Sequence, residues 1–245
     1  MIKNIDGIKK QNIIIFSELT YLFIKFDIKI ILKNINILVK KLVRNQNTVI
    51  IPTYNMDFAK TRVTSIDEKY ITSGYLNKYL LKKFNFFRTK KPIYNYGVIG
   101  PNKDFILNLK QVSSFGKDSI IGYLSENNGL GIGIAINPKK FNWVTIHVCE
   151  ESAKVPYRFY KNFFGFNLKS KKKVSEKLYV RKRNLNLEND GYPIFKKLVK
   201  GKDIINFRKN ILNITILNLN QFYKIGMKLL KKDIYSLVKN EKRYY

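Results

Sequence analysis

Apolar positions change period along the chain, and each period predicts an element. Asn12–Phe16 is a short Ile-rich run of the kind that fills a buried strand. Over Ile28–Leu42 the apolar residues recur at three and four with Lys and Asn between them, which predicts an amphipathic helix. Thr48–Ile51 is a second buried strand, stopped by Pro52. A strand, a helix and a strand of these lengths make a crossover unit and imply parallel pairing. Ser73–Phe87 returns to helical spacing, and Tyr96–Ile99, Gly131–Ile136 and Trp143–Val148 read as three further strands. Residues 166–183 are Lys-rich with Val174, Leu178 and Val180 at even positions, the pattern of an exposed hairpin. From Ile204 to Tyr245 the spacing of Ile, Leu, Phe and Tyr predicts helix. No Pro- or Gly-rich linker and no repeat divides residues 1–245, so one domain is expected.

Composition narrows the chemistry. The 245 residues are 45% hydrophobic and 14% aromatic, enough to exclude a disordered chain despite its charge. One Cys (Cys149) excludes a disulfide framework and a cysteine zinc site, and one His (His147) excludes a multi-histidine metal centre. No metal is expected. The formal charge of +30 invites a nucleic-acid reading. Of the 47 basic residues, however, 39 are Lys, whereas Arg is the bidentate reader of phosphates and bases. Lys, Asn and Ile, all with AT-rich codons, account for 99 positions, so coding bias explains the excess and nucleic acid is not the expected partner. Charged residues interrupt the apolar stretch from Ile13 to Val43, so no membrane span is expected. Without a cleavable leader pattern, the expected location is cytoplasmic.

Gly129-Leu-Gly-Ile-Gly133 lacks the third glycine of a dinucleotide loop, position 134 being Ile, and is read as a strand after a loop. The informative segment is Trp143–Arg158. His147 is expected at a strand end, with Glu150 three residues on; if the chain turns helical there, both side chains share one face. A carboxylate beside an imidazole fixes its tautomer and raises its basicity, as a general base requires. A lone His near a Glu is also commonly structural. The run Tyr157–Phe164 interleaves aromatics with Lys and could stack bases, although a core-facing aromatic cluster with Lys outside is the plainer reading.

Six blocks in order resemble the aminoglycoside 3-N-acetyltransferase family. They are Ile13–Ser17, Asn47–Phe58, Thr72–Leu76, Phe87–Gly100, Phe115-Gly-Lys-Asp-Ser119, and Thr145-Ile-His-Val-Cys-Glu150 with Val155-Pro-Tyr-Arg158. Together they cover roughly residues 12–160. The resemblance implies an α/β fold with a central mixed, largely parallel sheet flanked by helices, and acetyl transfer from acetyl-CoA as co-substrate to an amine. By the same match His147 is the general base, with Glu150 orienting it or holding the amine. Ser17, Thr53, Tyr54 and the Phe115, Gly116 and Ser119 turn would contact the co-substrate, with backbone N–H groups near Ser17 or Ser119 as oxyanion donors. The plainer roles are a strand-end cap for Thr53 and Tyr54 and a helix N-cap for Ser119.

The family's His-Pro is Lys91-Pro92 here, its following Ser is Asn95, and the Gly-rich turn after the first serine is missing. The implied acceptor is an amino sugar or an aminoglycoside. A strongly basic surface favours the amino sugar, since aminoglycosides are polycations. A homodimer is left open. The alternatives are a polyanion-binding module and a catalytically degenerate homologue of the same fold.

Overall fold

The computed structural model describes residues 5–65, 67–137 and 143–240. Its elements begin with β1 (Asn12–Ser17), α1 (Thr20–Lys25), α2 (Ile28–Arg44) and β2 (Thr48–Pro52). The chain continues through α3 (Phe58–Thr61), β3 (Val63–Thr64), α4 (Tyr75–Lys83), β4 (Phe87–Arg88) and β5 (Tyr96–Ile99). Next come α5 (Lys103–Leu107), α6 (Ile120–Glu126), β6 (Leu130–Ile134), α7 (Thr145–Ser152), β7 (Arg158–Asn167) and β8 (Lys172–Arg181). The last elements are β9 (Leu187–Asn189), α8 (Tyr192–Lys200), β10 (Ile204–Lys209), β11 (Leu212–Asn218), α9 (Leu219–Lys232) and β12 (Val238–Asn240).

Seven strands form the central sheet in the order β10-β11-β6-β1-β2-β5-β4. The expected β1–α2–β2 crossover is present, and β1 pairs in parallel with both β2 and β6. The remaining four pairings are antiparallel. The α/β class with a mixed central sheet flanked by helices therefore stands, with parallel pairing confined to its three central strands. Alternation along β1 and β2 sorts the cores. Ile13, Ile15, Val49 and Ile51 enter one with Leu38 of α2 and Leu80 of α4, while Ile14 and Ile50 enter the other with Ile121, Ile146 and Phe222 of α6, α7 and α9. A second sheet, β3-β7-β8, and the pair β12-β9 stand beside it.

Two expected elements differ. Trp143–Val148 is not a strand: helix α7 starts at Thr145, although Trp, Val, Thr and Ile favour strands. Burial overrides that preference, because Thr145, Ile146, Val148 and Cys149 are all buried and a Cβ at Gly226 of α9 would collide with Cys149 Sγ. Residues 204–218 are not helical either. They form the hairpin β10–β11, with Leu212, Ile214 and Ile216 buried at a period of two and Asn210 at φ 53° in its turn. Helix follows from Leu219 to Lys232, and Tyr245 lies outside the described residues. The expected hairpin at 166–183 is longer, with β7 starting at Arg158. In the Tyr157–Phe164 run Tyr157 and Phe163 are buried, whereas Phe159, Tyr160 and Phe164 are exposed. Among the described residues no helix is long and apolar enough to cross a membrane.

Gly129–Gly133 runs into β6, and its glycines serve packing. A Cβ at Gly131 would overlap the Trp143 indole, which lies across the strand, and one at Gly133 would sit 3.0 Å from it. Gly131→Ala is thus expected to destabilise the fold by about 1–3 kcal/mol, the usual scale of overpacking. Gly7→Ala, with no heavy atom within 4 Å of the added carbon, is the control. Urea midpoints of the two variants check this, and equal midpoints would refute the role of Gly131.

Candidate active site

His147 and Glu150 sit one turn apart on α7, so the helix that replaces the expected strand provides the shared face their spacing requires. His147 Nδ1 lies 2.7 Å from Glu150 Oε2. Glu150 is fully buried, whereas the His147 side chain keeps 15% of its surface exposed. Arg158, at the start of β7, pairs with the same carboxylate, Nε to Oε2 at 2.9 Å. Its other nitrogens donate to Tyr179 O and to Asn189 Oδ1, each at 3.0 Å. Asn189 Oδ1 also accepts from Arg181 Nη2 at 2.7 Å.

This network sets the imidazole tautomer. With its oxygen taken by two guanidinium groups, Asn189 turns its amide nitrogen to His147 Nε2, 3.5 Å away. A donor facing Nε2 and a carboxylate facing Nδ1 together place the proton on Nδ1 and leave Nε2 unprotonated, an acceptor that faces Asn189. Burial foremost, then the charge of Arg158, pushes the His147 pKa below its ordinary value, against the opposing pull of Glu150. Burial pushes the Glu150 carboxyl upward, but the hydrogen bond from His147 and the charge of Arg158 hold it low. The pair is thus a neutral imidazole beside an ionised carboxylate. Cys149 is no nucleophile: burial, then the charge of Glu150, drives its thiol pKa up.

His147 faces a cavity of about 450 Å³ lined also by Tyr94, Phe115, Arg158, Arg181 and Asn189. Phe115 packs tilted against the imidazole with ring centroids 4.8 Å apart, and Tyr94 packs behind Phe115 at the same separation. Tyr94 in turn meets Tyr54 at 4.8 Å. Tyr54 and Ser17 line a smaller cavity, about 250 Å³, with Trp143, Ser73 and Ile136. It lies past the carboxyl ends of the parallel strands β1, β2 and β6, where open α/β sheets bind ligands. Four of the expected residues, His147, Phe115, Tyr54 and Ser17, therefore line two neighbouring cavities joined by the Tyr54–Tyr94 contact, with Glu150 behind the first.

The other three make hydrogen bonds within the fold. Thr53 is buried and donates to Asn95 Oδ1, which also accepts from Arg88 Nε at 3.1 Å. Ser119 caps α6, accepting from Gly122 N at 3.0 Å, and its own N–H donates to Gly116 O at 2.9 Å. Gly116 N donates to Ser113 Oγ at 2.8 Å. The N–H groups of Gly116 and Ser119 are thus engaged within the turn. Lys91, at the position of the family's histidine, donates through Nζ to Gln111 O. Asn189 and Arg181 carry no local signature, since the contacts that place them come from across the β8–β9 connection; Arg158 was visible only as the end of Val155-Pro-Tyr-Arg158.

No family model matches the sequence, and no curated protein matches it at the sequence level. Solved structures do match in fold. The apoenzyme of aminoglycoside acetyltransferase AAC(3)-IVa superposes with a TM-score of 0.69 at 14% identity, over 95% of this chain and 86% of that one. Sisomicin-bound AAC-VIa gives 0.71 at 12% identity, over 93% of this chain and 94% of that one. The YokD protein from Bacillus subtilis gives 0.66 at 13% identity, over 94% and 90%. Across nearly its whole length, this chain has the fold of the aminoglycoside 3-N-acetyltransferases.

Proposed function

We propose that the protein is an N-acetyltransferase that moves the acetyl group of acetyl-CoA to the amine of an amino sugar. The observation that carries this reading is the Glu150–His147 pair, with Nε2 left as an acceptor at the wall of a cavity, in a fold shared with acetyltransferases. An ammonium has no lone pair, so a base must take its proton before or during attack. His147 Nε2 takes that proton while Glu150 holds the imidazolium that forms. The new C–N bond forms as the thioester C–S bond breaks; of the two protons the nitrogen loses, the one held by His147 returns to the leaving thiolate and the other goes to solvent. The smaller cavity, with Ser17, Tyr54 and Trp143, offers a slot for the thioester arm beside the strand ends.

Two outcomes follow. His147→Ala is expected to lower kcat by about 10²–10⁴, the range for a lost general base, in a thiol-release assay with glucosamine and acetyl-CoA. A variant with undiminished kcat would refute the assignment. Because the base works unprotonated, kcat should fall on the acid side with a midpoint below 6.5, the direction in which burial moves His147. Glu150 raises that pKa, so Glu150→Gln should shift the acid limb to still lower pH as well as reduce kcat. The same depression makes a neutral His147 a source of stability above its unfolded pKa that is lost as pH falls through the folded one. An acid limb that moved upward in Glu150→Gln would contradict the pair.

A further inference from the structure

We propose that the acceptor amine is carried on an anionic molecule, whose phosphate or carboxylate group is seated against Arg181, Lys182 and Arg183 beside His147. This rests on the transferase reading and specifies its substrate class. The cavity in front of His147 is lined by four cationic residues, Arg158 and the consecutive Arg181, Lys182 and Arg183, and among the described residues no carboxylate lines it. Glu150 lies behind the imidazole with no exposed surface and offsets Arg158 through their ion pair. Lys182 and Arg183 have no acid among the lining residues to balance them.

Their placement is built into the end of β8. Arg181 is its last residue, held by Asn189 Oδ1 and by the carbonyl of Leu187, so its guanidinium is fixed at the cavity wall. Lys182 and Arg183 follow in the turn that leads to β9, and both are exposed. A polycationic acceptor would bring several ammonium groups against this cluster, whereas a phosphate would find the exposed ammonium of Lys182 and guanidinium of Arg183 at the same cavity wall. The same charges act on the chemistry. A nearby cation disfavours a protonated amine, so the cluster that holds the anion also favours the neutral, nucleophilic form of the amine next to Nε2.

The test compares glucosamine, glucosamine 6-phosphate and sisomicin as acceptors, in the full-length wild type and in the Lys182→Glu/Arg183→Glu double variant. Thiol release from acetyl-CoA gives kcat/KM, and calorimetry gives the affinity for glucosamine 6-phosphate. The wild type is expected to prefer glucosamine 6-phosphate over glucosamine by at least about tenfold, the scale of one good charged contact, and the double variant to lose that preference. Equal use of the two sugars, or faster turnover of sisomicin, would overturn the proposal. So would a double variant that keeps the preference while its KM for acetyl-CoA rises, because the cations would then serve the phosphates of the co-substrate. If the wild type turns over no acceptor, the transferase reading fails and the calorimetry decides the anion site alone. Glucosamine 6-phosphate binding that weakens at least about tenfold in the variant upholds the site, and no binding to the wild type overturns it.

Discussion

Glu150 has no exposed surface, and an ionised carboxylate taken out of water is costly unless charged or hydrogen-bonding partners surround it. Here one oxygen answers to two of them, His147 on its own helix and Arg158 on β7. That requirement ties together parts of the chain that are far apart in sequence. Arg158 can reach Glu150 only if β7 begins beside α7, and its remaining donors reach the carbonyl of Tyr179 on β8 and the amide oxygen of Asn189 on β9. The side sheet, the central helices and the β9 segment thus converge on one buried charge. Removing any single partner would leave the others with unmatched charge or hydrogen bonds, which makes the cluster a structural constraint as much as a chemical device.

The same cluster explains why the histidine faces the cavity in one protonation state. Glu150 takes Nδ1, and Asn189, committed by its oxygen to Arg158 and Arg181, presents its amide nitrogen to Nε2. The tautomer is set by groups that themselves have few alternatives. Packing adds to this, because Phe115 lies against the ring and is backed by Tyr94 and Tyr54, an aromatic row that runs from the larger cavity to the smaller one. An imidazole with an unprotonated nitrogen, a cavity before it and a second cavity at the ends of parallel strands are the arrangement that the proposed acyl transfer between two bound molecules calls for.

Much of the central sheet was legible because its strands and helix α2 carry clean periods, and the parallel pairing of β1 and β2 followed from the crossover between them. The hairpin of β10 and β11 was misread although Leu212, Ile214 and Ile216 alternate, because flanking Ile and Phe residues also satisfy a helical spacing. The β-branched start of α7 misled for the opposite reason: local preference favours a strand, and only packing against α9, where Gly226 makes room for Cys149, reverses it. His147 and Glu150 survived that error because a three-residue spacing works only on the helix that forms. Ser119 is the helix cap of its plain reading, whereas the Thr53 hydroxyl is buried and bonded to the Asn95 side chain. Asn189 could not be found from the sequence, since its contacts with Arg158 and His147 span 31 and 42 positions, and Arg181 is placed only by the contacts it makes with Leu187 and Asn189 across the β8–β9 connection.

Because His147 is the only histidine in the chain, its imidazole gives one unambiguous pair of nitrogen resonances. The most direct test of the account is therefore the ¹⁵N spectrum of the ring in the full-length protein at pH 7. The structure predicts a neutral ring with the proton on Nδ1 and an unprotonated Nε2, as the contacts with Glu150 and Asn189 require. An imidazolium at that pH, or a neutral ring protonated on Nε2, would contradict the account of His147 as a base poised by Glu150.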